Sequence, residues 1–303
     1  MAGTQAALEL AGRGAPSASP VAGLTFWQLV WLRFRRHRLA MIGGAVAIVL
    51  TLVAVLAPWI APSGPEQIDL RSRALPPSLA HPFGTDELGR DALSRAMYAG
   101  RISLAVGYLS ALGVAITGTV AGIAAGYYGG LTDSVIMRLV DILLALPTIP
   151  LYLIMSALLP GGGVDRIILI FLLFGWTGVS RLVRAQVLSL RQADFVVAAR
   201  ALGASELRIM LRHLVPNALA PVIVATTLAV GGFILAESGL SYLGLGIQPP
   251  TPSWGNMLQR AQANIGQASW LAVFPGVLIF ITVLSFNFLG DGLRDALDPR
   301  LKI

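Results

Sequence analysis

Leu39 to Ile60 is a run of 22 residues without a single charge, and it follows directly on Arg33, Arg35, Arg36 and Arg38. As a helix the run would measure about 33 Å, enough to cross a hydrocarbon core of roughly 30 Å. It is too long for the apolar core of a cleaved signal, so the segment is expected to remain as a span. The arginines in front of it place the N-terminus in the cytoplasm, because cytoplasmic flanks keep Lys and Arg. The rest of the chain has to be fitted around a bilayer.

Five further apolar stretches repeat the signal, at about 102–126, from 134, from 164, at about 214–238 and at about 270–289. With 55% hydrophobic and 12% charged residues and a mean hydropathy of +0.74, the chain lacks the polar surface of a soluble fold. The short alternating segments of a membrane barrel are absent. The expected class is therefore an all-α integral membrane protein with six transmembrane helices. In this layout 15 of the 22 Lys and Arg fall on the N-terminal side of the membrane and 7 on the other. Both termini are then cytoplasmic, and the positive balance reports topology rather than nucleic-acid binding. Cysteine is absent, and His37, His81 and His213 lie far apart without metal-ligand spacing, so no metal site is expected.

The chain divides accordingly. Residues 1–38 form a cytoplasmic tail whose first 24 positions are rich in Ala, Gly, Pro and Ser and are expected to be disordered. Residues 39–61 are the first transmembrane helix, and residues 62–101 an external loop in which the two signs of charge cancel. Inside that loop Thr85 or Asp86 would cap a short helix carrying Leu88, Ala92, Leu93 and Ala96, a solvated connector lying on the bilayer. Residues 102–290 form a five-helix core and residues 291–303 a cytoplasmic tail. Within the core, Pro147 and Pro150 predict a kink in the third span. Asp141 is expected to pair with Arg138 at the interface rather than to relay protons. Glu237 falls near the outer end of the fifth span, where facing a pathway, binding a neighbouring subunit and reaching the headgroups all remain open. Residues 239–269 make a second external loop with turns at Pro249, Pro250 and Pro252.

Two features inside the core carry more specific expectations. Gly118, Gly122 and Gly126 recur every fourth residue of the second span, which lets another helix approach its backbone. Residues 194–217, DFVVAARALGASELRIMLRHLVPN, are a polar island between two apolar segments. They predict two short amphipathic helices, the first opened by Asp194 and presenting Phe195, Ala198, Ala199 and Leu202, then closed by a left-handed Gly203. Ser205 would cap the second, with Leu207, Met210, Leu211 and Leu214 opposite Arg208 and Arg212, and Pro216 would stop it. An apolar ridge rimmed by positive charge fits docking onto another protein at a membrane face. It equally fits a basic interfacial connector, and the residues alone leave both open.

Lys302 is the only lysine, so a phosphate-binding loop that ends in Lys and Ser or Thr is impossible. Any ATP-driven work must come from a partner. No Ser, His and acid set shares one membrane depth, so no catalytic residue is assigned. A secondary transporter driven by an ion gradient would need ionisable residues near the midplane and inverted repeats. Only Asp141 and Glu237 are candidates for the former, and no repeat is evident. A membrane scaffold would leave segment 194–217 without a purpose.

Here the sequence resembles a known family. From Val197 the chain follows the cytoplasmic "EAA" signature of ABC-importer permeases, with Ala198, Ala199, Gly203 and Pro216 in register. Val197 replaces its Glu, His213 its Ile and Val215 its Leu. GTDELGRDALSR (residues 84–95), LSYLGLGIQPPTPSWGNML (240–258) and GDGLRDALDPR (290–300) are similar to the C-type permease of dipeptide and oligopeptide ABC importers. The resemblance covers roughly residues 27–303.

The resemblance implies a type I ABC importer permease fold in a bacterial inner membrane. It implies a heterodimer with a second, related permease, two cytoplasmic ABC ATPases that use ATP and Mg, and an external solute-binding protein. Segment 194–217 would be the coupling helix seated on an ATPase. Ala198, Ala199 and Gly203 would permit close approach, Arg200 would make a rim contact, and Pro216 would fix the re-entry angle. This chain would bind no cofactor itself. The solute and the residues that bind it are not identified by the sequence.

Overall fold

A computed structural model describes residues 25–298. The expected disordered tail at 1–24 and the last residues, 299–303, lie outside the described residues. An amphipathic helix α1 (Phe26–Arg36) leads after one residue into α2 (Arg38–Ile60). A long loop precedes α3 (Ala92–Tyr128), followed by α4 (Gly130–Ala145), α5 (Thr148–Leu158) and α6 (Val164–Leu190). Then come α7 (Asp194–Ala201), α8 (Glu206–Ile209) and, through a π turn at Met210–Leu214, α9 (Val215–Tyr242). The described chain closes with α10 (Trp254–Gln262) and α11 (Trp270–Leu297). Five of these helices are long and apolar enough to cross a membrane, and α4 with α5 makes a sixth if the bent pair counts as one span.

The bundle is organised around α3, which packs most extensively on α6 and also contacts α9 and α2. Its centre holds Phe171, Ile167 and Ile170 of α6, Val106 and Val114 of α3 and Ile234 of α9, all fully buried. Burial on α2 has the pattern of a helix set in apolar surroundings. Ala40, Gly43, Ala47, Ala54 and Ala57 face the bundle, whereas Ile42, Ile48, Val49, Leu52 and Val55 point outward. Where the solvent is hydrocarbon, large side chains gain little by turning inward, and small ones let backbones approach. A Cβ at Gly43 would lie 2.6 Å from the Ser285 carbonyl oxygen of α11.

Four expectations are corrected. The separate connector helix does not exist: α3 begins at Ala92 and runs unbroken to Tyr128. Its cap is Asp91, whose carboxylate accepts the Ser94 N–H at 2.7 Å, rather than Thr85 or Asp86. Asp86 instead folds the preceding turn by accepting the N–H groups of Leu88 and Arg90 at 2.9 and 3.0 Å and the Arg90 Nε at 2.7 Å. Sequence spacing suggested a cap because Asp and Thr serve turns and helix starts by the same side-chain-to-backbone bonds.

The third span is broken rather than kinked, with α4 and α5 meeting at 92°. Leu146, held extended before Pro147, ends α4, and Pro147 caps α5. Asp141 pairs with Arg181 of α6, not with Arg138. Finally, the second external loop contains a nine-residue helix, α10. Ser253 and Asn256 form its capping box, and Trp254, Gly255, Asn256 and Met257 are buried among α3, α9 and α11.

Candidate functional site

Residues 194–217 occupy the end of the bundle where α3 finishes, α6 leaves and α9 enters. Helix α7 has Ala193 at its N-cap without a side-chain bond, and Asp194 lies in the first turn, where its charge favours the free N–H groups. Gly203, at φ +79°, closes α7. The Ala204 N–H reaches the Ala199 oxygen at 3.1 Å and the Gly203 N–H the Arg200 oxygen at 3.0 Å, the pair of bonds of a Schellman closure. Ser205 caps α8 through the Arg208 N–H at 3.4 Å.

Pro216 does not stop this second helix. It occupies the first turn of α9, and the chain is helical without interruption from Glu206 to Tyr242, 37 residues. The looser π turn just before it accommodates a residue that offers no N–H and whose ring strikes the carbonyl four residues back.

Of the expected stripe only Leu214 is fully buried, and Val196 and Ile209, outside it, complete the anchor. Val196, Ile209 and Leu214 are the residues fully buried against the bundle. Phe195, Val197, Leu202, Leu207 and Leu211 stand in the open, with Leu202 89% exposed. Ala198 is exposed and Ala199 half-buried beside them. Both short helices thus carry two apolar sides, one holding the segment to its own chain and one left unoccupied. Phe195 and His213 contact across the turn, ring centroids 6.2 Å apart.

Arg200 is exposed and also reaches back to α3. Its guanidinium lies 5.8 Å over the Tyr127 ring and donates to the Tyr127 hydroxyl at 3.5 Å. Arg191 donates to the Gly126 carbonyl at 3.2 Å. Together they tie the segment to the C-terminal end of α3. No role was expected of Tyr127. An aromatic pair ahead of two glycines, within reach of a basic segment, was the available signal.

The three spaced glycines lie against α6. A Cβ at Gly118 would come 2.7 Å from Val179 Cβ, one at Gly122 2.6 Å from the Ser180 oxygen, and one at Gly126 2.9 Å from Val187 Cβ. The same stretch of α6 presents Arg184, whose Nη2 donates to Asp133 of α4 at 2.6 Å, one turn from the Arg181 to Asp141 pair.

Glu237 adopts none of its three expected roles. It is fully buried, and its carboxylate accepts the Ser103 hydroxyl of α3 at 3.1 Å and the Ser241 hydroxyl at 2.7 Å. Those hydroxyls in turn accept the N–H groups of Trp254 at 3.2 Å and Ile247 at 3.0 Å. Arg166 holds the same loop from the other side, donating to the carbonyls of Ser156, Leu245 and Gly246 at 3.0, 2.9 and 2.8 Å. The outer end of α9, the loop after it and α10 are thereby one bonded unit. With Asp141 paired and Glu237 enclosed, neither carboxylate stands open as an ion-coupling group. Among the described residues no cluster of His, Cys, Asp or Glu could hold a metal ion.

Comparison with known proteins agrees with this architecture. Residues 118–303 match the family model for the binding-protein-dependent transport system inner membrane component, and residues 25–77 match the N-terminal transmembrane domain of oligopeptide transport permease C. The chain is 44% identical over 288 residues to the glutathione transport system permease protein GsiD of Escherichia coli O157:H7, covering 95% of each chain. The GsiD proteins of Shigella sonnei and Shigella dysenteriae show the same identity and coverage. The chain therefore belongs to the binding-protein-dependent inner-membrane components, as a multi-pass permease subunit of an ABC importer of the dipeptide and oligopeptide C type.

Proposed function

We propose that this permease forms half of a heterodimeric channel that imports short peptides, a class that includes the glutathione in the relatives' names. Its partners in this reading are a second related permease, an external solute-binding protein and two cytoplasmic ATPases that use ATP and Mg. This chain supplies no catalytic residue, and its termini lie in the cytoplasm with the arginine-rich end of the bundle.

The observation that supports this reading is the two-sided build of segment 194–217. Val196, Ile209 and Leu214 anchor it, while Phe195, Val197, Leu202, Leu207 and Leu211 offer an apolar ridge of the kind that seats in a groove. Ala198, Ala199 and Gly203 leave the ridge low enough for close approach. Val197, where the family signature has Glu, makes the contact more apolar. Arg200 positions the ridge through Tyr127, and Pro216 sets the angle of α9. The helical run from Glu206 to Tyr242 would measure about 55 Å, so a push on the segment travels as a rigid displacement to the loop at the far end.

The test is solute-dependent ATPase activity of the complete transporter in liposomes, wild type against Gly203→Asp. Loss of solute stimulation, with a permease that still assembles in the membrane, is the expected result. Uptake of peptide by this chain alone, driven by an ion gradient without ATPases, would replace this reading with a secondary transporter.

A further inference from the structure

Helix α6 packs on α3 with one side only. Val179, Val183 and Val187 meet the glycine stripe, whereas Phe171, Phe174, Gly178 and Arg181 recur at steps of three and four residues on another side. At one end of that side Tyr152 of α5 lies against Phe171 and Phe174, ring centroids 5.0 and 6.5 Å apart, and Phe233 of α9 stacks on Phe171 at 4.9 Å. A cavity of about 390 Å³ adjoins these rings, walled by Ile149, Tyr152 and Leu153 of α5 and by Gly232, Phe233 and Ala236 of α9. Tyr152 is 6% exposed, and its hydroxyl has no hydrogen-bond partner among the described residues. A Cβ at Gly232 or at Gly178 would meet nothing within 4 Å, so the open side continues along α6 past the cavity.

At the other end Arg181 is bonded to Asp141 of α4, with each side chain about half exposed. Arg138, one turn before Asp141, is exposed and has no ion pair among the described residues. Ionisable groups left open inside spans face a water-filled passage rather than lipid. Two guanidiniums against one carboxylate leave a net positive charge, which suits an anionic group. Phe174 and Arg181 are seven residues apart on the helix, about 10 Å, the length of roughly three extended peptide residues. We propose that this trough is a solute subsite: the cavity takes a side chain of a short peptide, the Tyr152 hydroxyl meets its backbone, and Arg181 takes its terminal carboxylate in exchange for Asp141. The assignment rests on the peptide-import reading and names the residues by which this chain holds the cargo. A mostly apolar pocket with a few convergent polar groups is the common build of a small-molecule site. Asp141 stands in for the carboxylate while the trough is empty, and a half-exposed pair is weak enough to be displaced.

The chain has no cysteine, so Gly178→Cys puts a single thiol on the floor of the trough, in a complete transporter whose other subunits are cysteine-free. In nanodiscs a water-soluble maleimide should alkylate it, and a mixed pool of tripeptides should slow the reaction. The same pool with amidated C-termini should need about tenfold more peptide for half protection, the discrimination of one hydrogen bond between charged groups. Arg181→Gln should erase that difference, whereas Asp141→Asn should keep or widen it. A purely structural ion pair would not give opposite results, because either substitution breaks the same bond. Ala185→Cys, exposed on the same side of α6, is the second thiol site if the first variant fails to assemble. A thiol that the maleimide never reaches is covered by lipid or by the second permease, and overturns the proposal. Equal protection by acids and amides, or equal effects of the two substitutions, overturns it as well. ATP-dependent uptake of the same tripeptides by wild-type liposomes separates the two levels. With uptake intact those outcomes remove only the subsite, and without uptake the import reading falls with it.

Discussion

Three residues show how one property on the page of the sequence, a glycine or a carboxylate, takes its meaning from what surrounds it. At Gly122 a methyl group would press 2.6 Å from the Ser180 oxygen and 2.7 Å from Val183 Cβ. Gly122→Ala should therefore cost roughly 1–3 kcal/mol through overpacking of α3 on α6, seen as a lowered midpoint of thermal unfolding in detergent. At Gly203 nothing lies within 4 Å of the added atom, but φ is +79°. The cost of Gly203→Ala is then backbone strain of about 1 kcal/mol, and it should appear as weaker protection of α7 in hydrogen exchange rather than as a global loss. Glu237→Ala removes the acceptor of two buried hydroxyls whose own partners are the Trp254 and Ile247 N–H groups. It should lower stability by about 3 kcal/mol, and Glu237→Gln, which keeps the shape and one acceptor oxygen, should recover most of that in the same melting measurement.

The element that links fold to partner is the pair α7 and α8. Their helical character, glycine closure and serine cap were legible, because capping and left-handed closure are settled within four or five residues of chain. What anchors the ridge was not. Spacing placed Phe195 and Leu202 on one apolar stripe, which stays exposed, and the structure buries Val196 on another side, because an eight-residue helix with apolar residues on two sides takes its orientation from what it packs on. Leu202→Glu with Leu207→Glu tests the open side. Both side chains are more than 60% exposed. The double variant should thus unfold within about 0.5 kcal/mol of wild type while co-purification of the ATPases drops sharply and solute-stimulated hydrolysis is lost. Unaltered co-purification would move the docking site elsewhere on this end of the bundle.

At the scale of the whole molecule, the weakest seam is the broken span. Helices α4 and α5 meet at 92°, expose Leu139, Ile142, Ile149 and Ile154, and are fastened to α6 by Arg184 with Asp133 and Arg181 with Asp141. The second pair is half exposed, so Asp141→Asn should change stability by less than about 1 kcal/mol. Arg184→Gln, at the better-covered pair, should leave the global melting midpoint nearly unchanged yet speed hydrogen exchange in residues 130–145 selectively. Uniform acceleration across the bundle would mean that α4 unfolds with the core rather than by itself.

The sequence alone determined the class, the positions of the spans and the turn chemistry. A stretch of about 20 apolar residues is driven into hydrocarbon whatever its neighbours are. The φ of Gly203 and the cap at Ser205 are equally local. What only the tertiary structure decided was every pairing between distant parts of the chain: Arg181 rather than Arg138 for Asp141, Ser103 and Ser241 for Glu237 where three roles stood open, and a helix tucked among α3, α9 and α11 where a loop was expected. It also merged the expected connector helix into α3, because the buried turn around Asp86 and Asp91 delivers the chain straight into the bundle. Each of these depends on which polar groups meet once the spans have packed. A buried donor or acceptor must be satisfied by whatever lies beside it in space, and for Glu237 one such neighbour, Ser103, is 134 residues away.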